Sequence, residues 1–255
     1  MSIPYSRYII GGLPWYGALI ASGLIAAILL CIHEEKRRGL KEDTIIDLAF
    51  WTVPLAVVGA RVYYAIFNWP VFADDPLSVL RIWEGGIAIY GAIIGGLVGV
   101  LIFSGLRRIN PLLLTDIIVP GLALAQGIGR WGNYFNMEAY GREITAPAWQ
   151  FFPVGVQIPS VGGYTWHMAT FFYESCWDLA VFAVLWFILR KRSTNNGTTT
   201  LWYLLLYGAG RSFIEGLRTD SLMTGNVRVS QLLSLALVIF AGAALIIRAH
   251  KSRKT

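Results

Sequence analysis

Charge is what this sequence is shortest of. Only 14% of its 255 residues are Asp, Glu, Lys or Arg, where a soluble domain carries about 25%. Hydrophobic residues make up 56%, including ten Trp. That balance excludes an ordinary soluble domain and points to an integral membrane protein. Lysine is scarcer still. Lys36, Lys41, Lys191, Lys251 and Lys254 are the full set, all in short clusters between apolar runs, as topology signals are. Cysteine is limited to Cys31 and Cys176, each in or at the end of an apolar run. There is no CxxC and no Cys/His metal spacing, so both read as buried thiols. The net charge of +6 comes without zinc-finger spacing or a basic reading helix, which argues against nucleic acid as a partner. The opening MSIPYSRYII lacks a basic leader and a small-residue cleavage pattern, so the first apolar run is expected to be a retained helix.

What is present is a series of apolar runs, at residues 13–32, 45–67, 87–103, 112–128, 168–189, 200–217 and 229–247. A membrane helix needs about 20 such residues. The fold class expected is therefore an all-α polytopic membrane protein of about seven transmembrane helices, one membrane domain over 1–255. Residues 129–166 hold the longest stretch without a membrane segment and carry Pro147, Pro153, Pro159 and a Gly pair. They read as a small extracytoplasmic cap of loops and short strands between helices four and five. Run three contains the series Gly91, Gly95, Gly99, a spacing that permits close helix approach.

Orientation follows from the basic residues. The connections after runs one, three, five and seven carry thirteen Lys or Arg, and the opposite side carries Arg7, Arg81, Arg130, Arg142, Arg211, Arg218 and Arg228 with no lysine. The positive-inside rule places the C-terminus in the cytoplasm and the N-terminus outside. The outer side thus uses arginine alone, which keeps its charge and grips phosphate with a planar fork. Arginines near a bilayer need a compensating anion. One reading is ion pairing, Arg130 with Glu138 and Arg211 with Glu215 one turn later. The other is a phosphate site, because arginines come from 129–142, from 210–220 and from Arg61 inside run two, while carboxylates there are few.

The stretch GRWGNYFNMEAYGR at 129–142 is the densest in functional groups. It resembles the signature of the prolipoprotein diacylglyceryl transferases, at Gly129, Arg130, Asn133, Asn136, Glu138 and Gly141. Similar segments follow the family order: WYG at 15–17, EGGIAIYGAIIGG at 84–96, HMATFFYES at 167–175 and YGAGRSFIEGLRTD at 207–220. Many members have histidine at the position of Tyr90, and His-Pro-Thr where this chain has His167-Met168-Ala169.

The resemblance implies a transferase that moves the diacylglyceryl group of phosphatidylglycerol to the thiol of a lipobox cysteine in a prolipoprotein signal peptide. The products are a thioether and glycerol phosphate, in the first step of bacterial lipoprotein maturation. It implies no cofactor and no metal, a multi-pass protein of the bacterial cytoplasmic (inner) membrane, and an active site towards the outer face. On this reading Arg130 and Arg211 bind phosphate and stabilise the leaving group. Asn133 and Asn136 bind the glycerol headgroup. Glu138 and Glu215 orient the arginines or accept the thiol proton. Tyr90 and Tyr16 are hydrogen-bonding groups for lipid oxygens, since a phenol of pKa about 10 is a poor base at neutral pH. Gly141 completes the motif. His167 is expected to be structural, and His33 and His250 solvated.

The competing class is a membrane lipid transporter or flippase with an outer-face phosphate site, which would place polar groups near the midplane in broken helices. A serine protease dyad of Ser104 and His167 is disfavoured, because the two fall at opposite helix ends. No paired-Asp metal motif of the kind a CDP-alcohol transferase needs is present.

Overall fold

The computed structural model describes residues 6–192, 195–219, 223–224 and 227–252; Asp220, the last residue of the fourth motif segment, lies outside them. Seven long helices follow the apolar runs: α1 (Trp15–Arg37), α2 (Thr44–Phe67), α3 (Ile89–Arg107), α4 (Pro111–Asn136), α5 (Thr170–Arg192), α6 (Thr198–Glu215) and α7 (Val229–Ser252). All but α6 are long and apolar enough to cross a membrane. Helix α6 is the exception because its 18 residues begin with three threonines and end with Arg211 and Glu215. The chain is a multi-pass membrane protein, mostly helical. It divides into two compact units, one of residues Cys31–Ile117 and the other of residues up to Leu30 and from Ile118 on.

In the 31–117 unit α2 and α3 pack through glycine. A Cβ on Gly95 would overlap the Leu55 carbonyl, one on Gly91 the Gly59 carbonyl, and one on Gly99 would lie 2.9 Å from Thr52 Cα. The Gly91–Gly95–Gly99 stripe therefore has α2 as its partner, and backbone contact replaces side-chain interdigitation. Arg61, inside α2, is buried. Its guanidinium donates to the carbonyls of Val79 at 2.7 Å, Ser78 at 2.8 Å, Gly86 at 2.9 Å and Arg81 at 3.1 Å, and to that of Gly85. This corrects the sequence expectation that Arg61 joins a phosphate site: the loop at 76–86 would otherwise leave those carbonyls without donors, and the one side chain satisfies them. At the other end of the unit, buried Glu35 accepts from the Ile45 amide at 2.5 Å and so caps α2, which has unpaired amides in its first turn.

In the other unit α1 runs antiparallel to α4. Tyr16 lies over Gly132, Ile20 over Gly129, Gly23 against Ala125 and Ala27 against Gly121. Two of the motif glycines are thus packing positions that admit the neighbouring helix. Helices α4, α5 and α6 share a core of Val119, Ala123, Val181, Leu185 and Tyr203. Helix α5 approaches α4 at Gly127, whose carbonyl accepts from Ser175 Oγ at 2.8 Å, and α6 at Gly210, where any side chain would strike the Trp177 indole. Cys31 is buried as expected, but Cys176 is exposed. The buried face of α5 is set by Thr170, Glu174, Asp178 and Val181, a four-residue helical stripe, and Cys176 falls away from it.

Between α4 and α5 the chain forms an antiparallel pair, β1 (Gly155–Ser160) with β2 (Gly163–Met168), Val156 opposite His167. Its core is aromatic. Tyr134, Val156, Ile158, Ala169 and Phe171 are buried together, and the Trp131 ring meets those of Tyr134, Phe152, Phe171 and Phe172 edge-on or tilted at 5.8–6.5 Å. Such geometry suits the ring quadrupoles. The aromatics of the 129–142 motif therefore build the cap that holds its polar residues in place.

Candidate active site

Helix α4 does not stop where its apolar run stops. It continues to Asn136 and carries Arg130, Asn133 and Asn136 on successive turns. It ends where Met137 and Ala139 take left-handed φ angles of 55° and 57°, a conformation that costs a non-glycine residue about 1 kcal/mol or more. The turn is held from both sides. The Glu138 amide donates to the Asn133 carbonyl at 3.0 Å, and Thr170 Oγ1, at the start of α5, donates to the Ala139 carbonyl at 2.6 Å.

The bend places the Glu138 side chain back over the helix end. Its Oε1 accepts from Asn133 Nδ2 at 2.9 Å and Asn136 Nδ2 at 3.3 Å. Glu138 is exposed, so this polar triad opens to its surroundings. Arg130 does not pair with Glu138. Its Nη1 lies 3.0 Å from Glu174 Oε2 and its Nε 3.6 Å from Asp178 Oδ2.

Glu174 is the centre of the charged cluster. Besides Arg130 it takes Arg211, through a direct hydrogen bond to Oε1, and Arg218 at 3.7 Å. Arg211 also pairs with Glu215 one turn along α6, the spacing at which helix side chains meet. Glu174, Asp178 and Glu215 are 3%, 3% and 1% exposed, while the side chains of Arg130, Arg211 and Arg218 keep 20%, 15% and 13%. Carboxylates buried to that degree need partners, and three guanidinium groups supply them. Three guanidinium groups thus face three carboxylates. A cavity of about 10 Å³ remains among Arg130, Glu174, Trp177, Asp178, Tyr207, Arg211 and Ile214, room for about one water.

The segment after α6 is fastened from several directions. Arg218 pairs with Gly141 in an isolated antiparallel bridge. Arg228, in the short strand pair Met223–Thr224 with Val227–Arg228, donates from Nη1 to the Glu215 carbonyl at 2.6 Å and from Nη2 to the Arg218 carbonyl at 3.1 Å. Gln231 Nε2 donates to the Ser212 carbonyl at 3.0 Å. Helix C-termini leave such carbonyls without intrahelical donors.

The fold thus brings Arg130, Arg211 and Glu215 into one cluster, and Asn133, Asn136 and Glu138 into a second on the same helix end. Gly141 sits between Leu217, Met168 and Thr170, with its amide on the Met168 carbonyl at 2.8 Å, which is a packing position. Tyr16 is 38% exposed above Gly132. Tyr90 belongs to the 31–117 unit, half-buried in the first turn of α3, its ring 6.3 Å from that of Tyr63. His167 is on β2, its Nδ1 at 3.0 Å from the Gly141 carbonyl and its Nε2 at 3.0 Å from Thr165 Oγ1, so both ring nitrogens are engaged in the cap. Sequence reasoning missed Glu174 and Asp178, and its premise that carboxylates are few near the arginines is overturned by them. The signal was there: two carboxylates one turn apart inside an apolar run are functional candidates in a membrane helix.

Comparison with known proteins agrees with the motif reading. The sequence model of the prolipoprotein diacylglyceryl transferase family matches residues 8–248. The phosphatidylglycerol–prolipoprotein diacylglyceryl transferase of Limosilactobacillus reuteri is 46% identical over 246 residues, 93% of this chain and 88% of the relative. The protein of that name from Listeria monocytogenes serotype 4a is 41% identical over 245 residues, 93% and 86%. That from Ligilactobacillus salivarius is 43% identical over 244 residues, 92% and 89%.

Proposed function

We infer that this chain, which belongs to the prolipoprotein diacylglyceryl transferase family, transfers the diacylglyceryl group of phosphatidylglycerol to a prolipoprotein. The acceptor is the thiol of the lipobox cysteine. The enzyme acts in the bacterial inner membrane with its site towards the outer face. Sulfur attacks the glyceryl carbon, the carbon–oxygen bond to phosphate breaks, and glycerol phosphate leaves with the bonding electron pair. The thiol proton is lost to an acceptor on the way to the thioether.

The observation that carries this reading is the convergence of Arg130 from α4, Arg211 from α6 and Arg218 from the segment after α6 on one point. Preorganised cations of this kind act where charge develops, on the phosphate oxygens of the leaving group. They also favour the thiolate over the thiol, whose ordinary pKa is about 8.5. Arg130 and Arg211 hold the phosphate. Glu215 orients Arg211 through its i,i+4 pair. Glu138, fixed by Asn133 and Asn136, accepts from a hydroxyl of the glycerol headgroup, and the amide oxygens of the two asparagines are further acceptors. Tyr16 donates to a lipid oxygen; Tyr90, within the 31–117 unit, is by itself a hydrogen-bonding group for lipid oxygens. Gly141 keeps the Arg218 strand against the cap.

The experiment is to incubate the purified protein with phosphatidylglycerol and a lipobox peptide and weigh the peptide by mass spectrometry. A gain of one diacylglyceryl unit is expected. Lipid movement across a vesicle membrane with no covalent product would favour the flippase class instead.

A further inference from the structure

Two buried carboxylates of the cluster, Glu174 and Asp178, have no part in that chemistry, and Glu174 is the more central. Glu174 is 3% exposed in a membrane helix, and its two oxygens meet Arg130 at 3.0 Å, Arg218 at 3.7 Å and Arg211 by a direct hydrogen bond. Of its neighbours, Asp178 meets Arg130 and Glu215 meets Arg211. A carboxylate presents two anionic oxygens to a guanidinium fork much as a phosphodiester does. The cavity beside it is about 10 Å³, which takes about one water and is too small for a phosphate group. The three arginines therefore converge on a seat that is already filled by an anion of the protein's own.

We propose that Glu174 is a resident anion that holds Arg130, Arg211 and Arg218 in register when no lipid is bound, and that the lipid phosphate replaces it on those arginines. The proposal rests on the reading that this cluster is the phosphate site. Two physical points support it. Asp178 and Glu215 meet Arg130 and Arg211 respectively, so without Glu174 three guanidinium groups would share two carboxylates in a medium of low dielectric, and the lipid-free enzyme needs a further counter-ion in the seat. And an exchange of one anion for another leaves the cations where they are, so the site is preorganised without having to be assembled at each turnover. Competition from Glu174 weakens phosphate binding and so speeds departure of glycerol phosphate. Glu174 is accordingly a positioning residue, with no contact to the reacting carbon.

The sign of the effect separates this from a merely structural role. Binding of glycerol phosphate is measured by calorimetry on the detergent-solubilised protein, with thermal unfolding recorded on the same samples. Glu174→Gln keeps the shape and removes the charge. It is expected to bind glycerol phosphate at least about tenfold more tightly, roughly 1.4 kcal/mol, with KM for phosphatidylglycerol and kcat both lowered. Affinity that is unchanged or weaker in a folded Glu174→Gln protein overturns the proposal. If that variant does not fold, Glu174→Asp decides: its shorter arm loosens the hold on the arginines, so tighter binding supports the proposal and unchanged or weaker binding overturns it. Arg130→Gln tests the underlying reading separately. If it binds glycerol phosphate as well as the unaltered protein, the cluster is not the phosphate site and both readings fall. If it loses binding while Glu174→Gln gains none, only the resident-anion proposal falls.

Discussion

The guanidinium of Arg228 donates a hydrogen bond of 2.6 Å to the backbone carbonyl of Glu215, so the carboxylate paired with Arg211 stands on a turn that is gripped from the strand just before the next helix. The second arm of Arg228 reaches the Arg218 carbonyl. A hydrogen bond from a charged donor contributes about 1.5–3 kcal/mol. Arg228→Ala is expected to lower kcat by roughly ten- to a hundredfold while helix content is kept, and Arg228→Lys to recover part of it. Equal activity in Arg228→Ala and the unaltered enzyme would remove Arg228 from the positioning of the site.

Arg130 faces two carboxylates through different nitrogens, Nη1 to Glu174 and Nε to Asp178. Lysine offers a single ammonium and cannot make that fork. Arg130→Lys is expected to lose at least about a hundredfold in kcat, the scale of removing one preorganised donor. Peptide lipidation rates with circular dichroism on the same preparation check this.

Glu138 receives two amides on one oxygen. If its other acceptor positions serve the glycerol headgroup, Glu138→Gln raises KM for phosphatidylglycerol by about tenfold, the value of one charge-assisted hydrogen bond, with kcat changed much less. Asn133→Ala acts in the same direction. The double variant is expected to be less than additive, because the two changes dismantle one triad. KM and kcat measured for all three variants decide it.

Arg61 is a separate, purely structural test. Its donors serve carbonyls across the 76–86 loop. A lysine has three donors on a point charge, so Arg61→Lys leaves some of those carbonyls unsatisfied at about 1–3 kcal/mol each. A lower Tm and faster proteolysis within 76–86 are expected. A loop as resistant as the original would show that the carbonyls find other donors.

Gly95→Leu probes the α2–α3 contact. A Cβ at Gly95 already overlaps the Leu55 carbonyl, and backbone cannot give way as a flexible side chain can. Overpacking costs about 1–3 kcal/mol where neighbours can shift, and more is expected here. Thermal unfolding in detergent measures it. Gly105→Leu, on the same helix with open space at its Cβ, is the control and is expected to be close to neutral.

Much of this protein is legible in its sequence alone. Seven apolar runs became seven helices, with ends shifted by a few residues except at α4, which runs on to Asn136. The reason is physical: in a membrane every backbone group must be paired within the segment, so length and apolarity alone call for a helix. The Arg211–Glu215 pair was legible too, being local to one turn. The glycine stripe of α3 announced a close neighbour without naming it.

What only tertiary structure decided is which polar groups meet. Arg130 sits five residues beyond Ala125 on the helix that α1 covers, and nothing local tells whether it turns to Glu138 or to α5. Packing of α4 on α5 at Gly127 and Ser175 and of α5 on α6 at Trp177 and Gly210 sets Arg130, Arg211 and Arg218 around Glu174. Arg61, similar to the others in sequence, is taken by loop carbonyls instead. Helical periodicity reveals which residues share a face of one helix, but the partner of that face is a long-range choice made by packing, and the electrostatics of the site follow from that choice.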